Sequence, residues 1–419
     1  MSASKSDRLK FMLDPTIAVT VRDVLLARGW TEVTKEGSDG CWDVYWCDVG
    51  TTREALEMCK HGGHQRVPHF RNNSELTTKN MLFRNMKRYK RTLVQNGKTK
   101  EAELCDCLPI IFELPAEYLM FVEEYRKSPG NTWIVKPARG SKGRGIFLFQ
   151  KLKDLMEWRE QQRAQCEEQD RFWLIQRYIE KPYLIGGCKF DLRIFVLVTS
   201  YQPLRAWMAR DGFARIAGSQ YSLSSLQDNL VHLTNSALQI SAAGDPCRQG
   251  CKWSIHKLRH FLTARHGASM VSATFDLMAR QVVSSLCSVQ SSVVQSNHSF
   301  ELYGYDILLD EKLTPWLLEV NASPTLLPTS LEDYQLKYNM IEDVFNILDM
   351  EHRLTGMELR VGGFDLMWND GPVYKPFLQN IANAKDVELN SFLGCLNDRD
   401  ENLKQLQILK TLVSRCTHD

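Results

Sequence analysis

The cleanest alternation of apolar and polar positions in the chain lies at residues 189–198, KFDLRIFVLV, and predicts a β-strand. Lys189, Asp191 and Arg193 fall on one face of this strand, and apolar side chains fall on the other. Three charges on one face of a strand in a largely apolar protein require either mutual pairing or a charged ligand. The stretch therefore predicts a structural ion-pair ladder or one wall of a cleft that binds phosphates.

A second pattern, two apolar runs joined by a polar turn at residues 300–324, predicts a β-hairpin. Asp306 lies inside the first run, and Glu319 and Asn321 end the second run on one face of its strand. Two carboxylates and an amide oxygen are hard ligands of the kind that Mg²⁺ prefers. The hairpin alone leaves open whether these residues bind a metal or are strand-end polar groups in solvent.

Residues 133–150, WIVKPARGSKGRGIFLFQ, predict a strand, a glycine-rich loop and a second strand. This order differs from the strand–loop–helix order of a Walker A motif or a dinucleotide fold. A glycine-rich hairpin can still cover a triphosphate, with backbone N–H groups near Gly143 and with Lys136 or Lys142 facing the phosphates. The apolar strand predicted at residues 172–179 offers a backbone edge that can pair with an adenine ring.

Helical periodicity predicts four further elements, at residues 75–93, 254–292 and 331–353 and in a C-terminal helix whose apolar face includes Leu406. The first of these helices carries a row of basic residues on one face: Arg84, Lys87, Arg88 and Arg91. Such a row is either a solvated face or a docking surface for an acidic partner.

The composition excludes several classes of function. A chain of 419 residues with 43% hydrophobic and 24% charged residues is typical of a globular protein of two or three domains. A net charge of +2 argues against a general nucleic-acid binder. The sequence shows no signal peptide and no apolar run long enough to span a membrane, so we predict a cytoplasmic protein with reduced cysteines.

Six motifs occur in the order found in one enzyme family: WIVKP with its glycine-rich loop, QRYI, KFDLR, HLTN, GCKW and YGYDILLD…PWLLEVNASP. From about residue 60 to about residue 368 the chain resembles the tubulin tyrosine ligase-like enzymes, in particular their polyglutamylase group. The resemblance implies an α/β (α+β) fold of the ATP-grasp type, with a nucleotide cleft between central and C-terminal domains. It implies an N-terminal α/β domain at residues 1–75, a central ATP-grasp subdomain at 76–178, a C-terminal subdomain with the metal site at 179–368, and a helical tail at 369–419.

The same resemblance assigns roles to residues at matching positions. It implies contacts with ATP at Lys136, Lys142, Gly143, Gln176, Arg177, Tyr178, Ile179, Lys189, Phe190, Asp191, Thr234 and Asn235. It implies that incoming glutamate contacts Arg215 and Lys252, that Mg²⁺ contacts Asp306, Glu319 and Asn321, and that Lys136, Arg193 and Glu319 take part in catalysis. Cys188, Pro68 and residues 241–250 depart from the family pattern.

The implied reaction is an ATP- and Mg²⁺-dependent ligation at the acidic C-terminal tails of tubulin. A glutamate side chain of the tail would become an acyl phosphate, and the amine of free L-glutamate would then displace phosphate. We expect action on microtubules of the cytoskeleton, in particular in cilia, with accessory subunits as further partners. Three alternatives stay open: a glycine ligase, a catalytically weak microtubule-binding or complex subunit, and a ligase for another acidic protein. The Arg215/Lys252 pair favours glutamate over glycine, because glutamate carries a second carboxylate.

Overall fold

The computed structural model describes residues 8–35, 41–59, 63–137, 145–165, 172–234, 251–376 and 387–416, without the side chains of residues 161–165 and 409–416. The strands in this part of the chain are β1 (Lys10–Leu13), β2 (Thr31–Glu32), β3 (Val44–Trp46), β4 (Ile111–Leu114), β5 (Trp133–Pro137), β6 (Phe147–Phe149), β7 (Trp173–Arg177), β8 (Leu184–Ile185), β9 (Cys188–Tyr201), β10 (Leu204–Gln220), β11 (Cys251–Ser254), β12 (Glu301–Leu309), β13 (Pro315–Asn321), β14 (Arg360–Val361) and β15 (Phe364–Asn369). The helices are α1 (Val19–Ala27), α2 (Thr52–Glu57), α3 (Ser74–Thr77), α4 (Lys79–Gln95), α5 (Thr99–Glu103), α6 (Tyr118–Lys127), α7 (Leu152–Gln165), α8 (Asn229–His232), α9 (Ile255–His266), α10 (Ala268–Val289), α11 (Leu331–Leu348) and α12 (Arg399–Cys416).

The first strands form a small parallel sheet, in which β1 pairs with both β2 and β3. Helix α1 connects β1 to β2, and its residues Val24 and Leu25 share an apolar cluster with Trp30, Trp46 and Phe345. Because Phe345 belongs to α11, this cluster attaches the N-terminal sheet to the C-terminal half of the chain. The small sheet therefore packs next to α11.

A second sheet, of four antiparallel strands in the order β4-β7-β5-β6, carries the hairpin that flanks the glycine-rich loop. Side chains alternate along β5, so that Trp133 and Val135 pack in an apolar cluster with α6 and α7, whereas Ile134 and Lys136 face a cavity. The predicted strand–loop–strand order is confirmed by β5 and β6. Their connecting loop, at residues 138–144, lies outside the described residues.

The third sheet has eight antiparallel strands, with β13-β12-β9-β10-β15-β14 side by side, β11 paired with β10, and β8 paired with β9. Strand β9 contains the alternating stretch recognised in the sequence. Its residues Phe190, Leu192 and Ile194 share an apolar cluster with α4, α9 and α10. The opposite face of β9 therefore presents the charged residues, and further along the strand that face packs Phe195 and Leu197 against α11.

Two predicted helices differ from the structure. The helix predicted at residues 75–93 is two helices, α3 and α4, separated by Thr78 in an extended conformation. The helical segment at 254–292 is also two helices, because Gly267 between α9 and α10 has a φ of 81°, a positive value that glycine adopts readily.

The mixed α/β class predicted from the sequence is confirmed. The three sheets fall within the first three predicted domain ranges, apart from the last residue of β15, and α12 lies in the predicted tail. The domain boundaries themselves and the ATP-grasp assignment stay predictions. Among the described residues, none of the helices combines the length and the apolar character that crossing a membrane requires.

Candidate active site

A cavity of about 610 Å³ lies between the four-stranded sheet and the charged face of the eight-stranded sheet. It is lined by most of the residues predicted for the site: Lys136, Gln176, Arg177, Tyr178, Ile179, Lys189, Asp191, Arg193, Arg215, Thr234, Lys252, Asp306, Glu319 and Asn321. A volume of this size is within the range of small-molecule and cofactor sites. The fold therefore gathers residues from seven strands and two loop segments into one concave site.

A continuous network of ion pairs forms one wall of the cavity. Asp306 of β12 lies opposite Arg193 of β9, and Asp191 of β9 lies opposite Arg215 of β10. Arg193 Nε donates to Asp306 Oδ1 at 2.5 Å, and Arg215 Nη2 donates to Asp306 Oδ2 at 2.8 Å. Arg215 also donates to Asp191 through Nε and Nη2. Asp191 and Arg193 of the alternating stretch thus take part in an ion-pair ladder, and together with Lys189 they line the cavity.

The charge states of this network follow from its pairing. Burial opposes ionisation of Asp306, but the two guanidinium groups outweigh it and lower the pKa of the carboxyl group. Burial also opposes the charge of Arg215, and the carboxylates of Asp191 and Asp306 outweigh it and raise the guanidinium pKa. Gly304 permits the close packing, because a Cβ at its position would lie 3.2 Å from Cδ of Arg193. Two cations and two anions therefore coexist in the buried wall.

Two lysines, the half-buried Lys136 and the buried Lys189, line the side of the cavity formed by β5, β7 and the start of β9. Lys136 Nζ donates to Gln176 Oε1 at 2.6 Å, and Lys189 Nζ donates to the Tyr178 hydroxyl and the His232 carbonyl oxygen, both at 2.9 Å. Burial lowers the pKa of Lys136 to about 8 and the pKa of Lys189 to about 7. Each lysine is therefore partly neutral near pH 8 and gains charge when an anion binds beside it.

Gln176 carries a side-chain hydrogen-bond donor that none of the described residues satisfies. Its Nε2 atom is buried and has no hydrogen-bond partner among the described residues, although the residue lines the cavity. A buried N–H group without a partner costs free energy, so a ligand with an acceptor at this place would stabilise the site. Apolar Ile134, Ile146 and Leu308 line the same cavity. Apolar surface with isolated polar donors fits a purine base.

The predicted metal ligands lie on β12 and β13, which confirm the predicted hairpin and place Asp306 directly opposite Glu319. Asn321 Nδ2 lies 3.4 Å from Glu319 Oε1, and Lys79 Nζ lies 2.9 Å from Glu319 Oε2. Within the described ranges, no three His, Cys, Asp or Glu side chains are grouped so that they could hold a metal ion. Two carboxylates and one amide are nevertheless hard oxygen donors, a set that fits Mg²⁺ when water and phosphate complete its coordination.

The predicted donor-binding residue Lys252 lies in a corner of the cavity, beside the first turn of α11. Its Nζ atom donates to Thr329 Oγ1 at 2.8 Å and to Asp333 Oδ2 at 3.1 Å, and it lies 4.8 Å from the centre of the Phe213 ring. Ser330 caps α11, because its hydroxyl oxygen accepts a hydrogen bond from the amide of Asp333. The cap fixes Asp333 in the first turn, where its carboxylate meets Lys252.

One predicted residue lies elsewhere, which corrects its assignment. Phe190 is fully buried in the apolar cluster on the other face of β9, because the side-chain period of a strand turns it away from the charged face. Its side chain therefore does not reach the cavity. Three further predicted residues, Lys142, Gly143 and Asn235, lie outside the described residues.

Two further residues that line the cavity, Lys79 and Lys337, were not predicted from the sequence. Lys337 lies one helical turn after an acidic residue, an i,i+4 spacing that places acid and base on one face and could have identified it. Lys79 begins a helix and carries no comparable signal. Of the residues that depart from the family pattern, Cys188 and Pro68 are described and are not among the lining residues of the cavity. Residues 241–250 lie outside the described part of the chain.

Comparisons with known proteins agree with one another. The sequence model of the Tubulin-tyrosine ligase family matches residues 56–355. Probable tubulin polyglutamylase TTLL9 of Bos taurus is 46% identical over 436 residues, which cover 96% of this chain and 93% of that protein. Probable tubulin polyglutamylase ttll-9 of Caenorhabditis elegans is 44% identical, with 93% and 89% covered. Probable alpha-tubulin polyglutamylase Ttll1 of Tetrahymena thermophila is 36% identical, with 87% and 94% covered.

Proposed function

The chain belongs to the tubulin-tyrosine ligase family and is a ligase, and we propose that it uses ATP to add glutamate to glutamate side chains of tubulin C-terminal tails. The family match confirms the resemblance inferred from the six motifs. One observation above the others supports the proposal: strands that are distant in sequence bring the predicted nucleotide, donor and metal residues to a single cavity. The relatives' names as probable polyglutamylases support tubulin as the acceptor.

We assign the nucleotide to the side of the cavity formed by β5 and β7. Residues 176–179 would contact the adenine, with the unpartnered Nε2 atom of Gln176 as a donor. Lys136 and Lys189 would contact the phosphates, with Arg193 beside them. Phosphoryl transfer chiefly requires alignment and neutralisation of charge, and buried cations act strongly in a site that excludes water.

Glu319, Asn321 and Asp306 would hold Mg²⁺ at the other end of the phosphates. When bound, the ion supplies positive charge that polarises the phosphoryl group. Asp306 has a second role in the chain itself, because its two oxygens hold the guanidinium groups of Arg193 and Arg215 in place. Lys79, which forms an ion pair with Glu319, would contribute a further ammonium group at this end of the cavity.

Arg215 and Lys252 would hold the incoming glutamate. ATP supplies the phosphoryl group that converts the acceptor carboxylate into an acyl phosphate, and the glutamate amine then displaces phosphate to form an isopeptide bond. The side chains of the cavity contribute orientation and charge neutralisation to this reaction rather than a covalent intermediate on the protein. A donor with two carboxylates suits the cationic corner at Lys252 better than glycine does.

We further propose that acidic tails approach along helix α4. Its basic face is exposed at Arg84, Lys87, Arg88 and Arg91. Clustered positive charge raises the local concentration and the association rate of an acidic segment. Microtubules of the cytoskeleton, including those of cilia, are the proposed place of action, and accessory subunits are proposed partners.

Mass spectrometry of tubulin tails tests the proposal directly. Tubulin is incubated with the protein, ATP, Mg²⁺ and glutamate, with glycine offered in a parallel reaction and ATP omitted in a control. We expect ATP-dependent mass increases in steps of one glutamate residue. Steps of one glycine residue would replace the donor assignment. ATP binding with no change in tubulin mass, even with accessory subunits added, would contradict the proposal.

A further inference from the structure

Two histidines lie one helical turn apart near the start of α9, outside the cavity. His256 and His260 have an i,i+4 spacing, which places them on one face of the helix. The centres of their rings are 4.2 Å apart, and the ring planes are inclined at 65°. His256 is half-buried and His260 is exposed. The pair is therefore at the surface, where an ion and water can reach it from the solvent.

Hydrogen bonds to the backbone select the same tautomer in both rings. His256 Nδ1 donates to the Gly394 carbonyl oxygen at 3.1 Å, and His260 Nδ1 donates to the His256 carbonyl oxygen at 3.1 Å. A carbonyl oxygen can only accept, so each Nδ1 atom carries the proton. In the neutral ring, Nε2 then has a free lone pair. Histidines that bind metals have this arrangement, in which the second ring nitrogen donates to a carbonyl or carboxylate oxygen.

The carbonyl group that orients His256 belongs to a closely packed segment. The amide of Gly394 donates to the Arg210 carbonyl oxygen at 2.8 Å. The φ of Gly394 is 70°, a positive value that glycine adopts readily, and a Cβ at this position would lie 3.2 Å from the Ile255 carbonyl oxygen. The ring of His256 is therefore oriented by a second element of the fold and not by α9 alone.

The basic residues between the two histidines contact other groups. Lys257 Nζ lies 4.4 Å from the centre of the Trp253 ring. Arg259 donates to the Leu393 carbonyl oxygen at 2.8 Å, and its guanidinium carbon lies 4.6 Å from the centre of the Phe275 ring. These contacts hold both charged groups at places other than the histidine rings, so neither charge occupies the face that the two rings share.

The spacing of the pair allows two imidazoles to bind one ion. Two histidines at i and i+4 on a helix bind Zn²⁺ in the H-E-x-x-H motif of metalloproteases. The glutamate that acts as the base in that motif is absent here, because Lys257 follows His256. Within the described ranges, no third His, Cys, Asp or Glu side chain completes a metal-binding group. The chemistry of the pair is therefore binding rather than hydrolysis.

We propose that His256 and His260 bind one divalent transition-metal ion, of the kind that prefers imidazole, through their two Nε2 atoms. Water fills the other coordination positions. Structural Zn²⁺ sites have four protein ligands, so a site with two is suited to an exchangeable ion. The site differs in place and in ligand chemistry from the proposed Mg²⁺ site, whose donors are oxygen atoms in the cavity. It does not depend on the proposed function.

Calorimetric titration of the full chain with Ni²⁺, without ATP or tubulin, tests the proposal in the wild type, His256→Gln and His260→Gln. Each variant keeps one imidazole. The affinity of the site should fall about 100-fold or more in each, because the second imidazole of a chelating pair acts at a high effective concentration. The control is His266→Gln on the same helix, where Nε2 already contacts the Tyr183 hydroxyl at 2.7 Å. This control should bind Ni²⁺ as the wild type does.

Urea unfolding with and without Ni²⁺ gives a second measure. The ion should raise the midpoint of unfolding in the wild type and in His266→Gln, because the spacing of the pair exists only in the folded helix. It should raise the midpoint less in His256→Gln and His260→Gln. Unfolding without Ni²⁺ also shows whether each variant is folded. His260 is exposed, so His260→Gln should fold and decides the test even where His256→Gln is unstable.

Two results would overturn the inference. The first is equal Ni²⁺ affinity in the wild type and in folded His260→Gln, which would assign the bound ion to other groups, such as thiols of the 12 cysteines. The second is a loss of affinity in only one of two folded variants, because a shared ion requires both rings. The two rings would then form an aromatic contact without a metal site.

Discussion

Two arginines on the same strand, Arg210 and Arg215 of β10, form buried ion pairs in different surroundings. Arg210 donates to Asp365 of β15 from Nε at 3.0 Å and from Nη2 at 2.8 Å. Arg215 donates to Asp306 of β12 at 2.8 Å. The ring of Phe392 covers the first pair, with its centre 4.5 Å from the guanidinium carbon. The second pair opens onto the cavity.

The carboxylates of the two pairs respond differently to burial. Burial raises the pKa of Asp365, and the Arg210 guanidinium offsets only part of that effect. Burial also opposes ionisation of Asp306, but the guanidinium groups of Arg193 and Arg215 outweigh it and lower the pKa. A carboxylate with two guanidinium partners thus distinguishes the cavity from the covered pair.

A buried ion pair therefore does not by itself indicate a binding site. The guanidinium of Arg210 is also in contact with the Leu396 carbonyl oxygen and with Asp398, so the surrounding protein occupies its donors. The Arg215 pair instead borders the cavity of about 610 Å³, where a charged group of a ligand can replace a side chain of the protein as an ion-pair partner. Variants of the two arginines should therefore separate stability from ligation.

The largest expected effect is the loss of stability in Arg210→Met. The variant leaves the Asp365 carboxylate buried without its main partner, which should lower the free energy of unfolding by about 3–5 kcal/mol. Arg215→Met should cost less than half as much, because Arg193 still pairs with Asp306 and because water can enter the cavity beside Asp191, which loses its guanidinium partner. The ligation rate of Arg215→Met should fall about 100-fold or more. Urea unfolding and ligation assays on the folded variants measure both quantities.

Arg22→Met is the matched control for this pair of variants. Arg22 pairs with Glu32 at the surface, so its removal should cost about 0–1 kcal/mol. Folded Arg210→Met protein should ligate at close to the wild-type rate. Arg210→Met and Arg215→Met could instead be destabilised equally, with ligation reduced only in proportion to the unfolded fraction. That result would show that the two ion pairs have the same role.

The next effect concerns the carboxylate at the metal end of the cavity. Glu319→Gln keeps the size of the side chain but removes an anionic ligand, so ligation should fall about 100-fold or more. Stability should change by about 1 kcal/mol or less, because the ion pair of Glu319 with Lys79 is partly exposed. Mass spectrometry of tubulin and urea unfolding of the variant measure the two effects.

Glu311→Gln provides a control in the turn of the same hairpin. Glu311 is about half exposed and pairs with Lys181, outside the cavity. Its substitution should leave both ligation and stability unchanged. Full ligation by Glu319→Gln would contradict the metal assignment. A large loss of stability in that variant would show that Glu319 is a structural residue, as Asp365 is.

Alternation of apolar and polar residues predicted the strands that build the site. Strands β5, β7, β9, β12 and β13 lie where the sequence indicated them, because each is an apolar run of strand length with one defined face. Helix boundaries were less predictable. Thr78 and Gly267 interrupt segments of continuous helical periodicity, because backbone conformation rather than hydrophobic pattern decides where those helices end.

Residues of the site could be predicted where they belong to a sequence motif. The contacts between residues of distant segments could not. The motifs included Arg215 and Asp306, but their hydrogen bond depends on sheet order, since β9 lies between β10 and β12. Phe190 was included because it belongs to a contiguous motif, although the strand period turns it into the core. The contact of Lys79 with Glu319 and that of Lys252 with Asp333 join distant segments, and no local spacing indicates them.

The smallest expected effect is the uptake of protons when ATP binds with Mg²⁺, which should arise in the cavity and not at the covered pair. At pH 8 the side-chain amine of Lys189, with a pKa of about 7, is mostly uncharged. The side-chain amine of Lys136, with a pKa of about 8, is uncharged in about half of the molecules. Bound phosphates raise both pKa values, so binding at pH 8 should take up about one proton. At pH 6 both lysines are already charged, and uptake should nearly vanish.

Calorimetric titration in two buffers of different ionisation enthalpy measures this uptake, and two variants assign it. Lys189→Met should remove most of the uptake at pH 8, because it removes the ammonium group that is most neutral in the free protein. Folded Arg210→Met protein should keep the wild-type uptake, since the covered pair lies away from the cavity lining. Proton release at pH 8, or the same uptake in Lys189→Met as in the wild type, would contradict the prediction. Burial would then not lower the pKa of these two lysines, and this difference between the cavity and the covered ion pair would not exist.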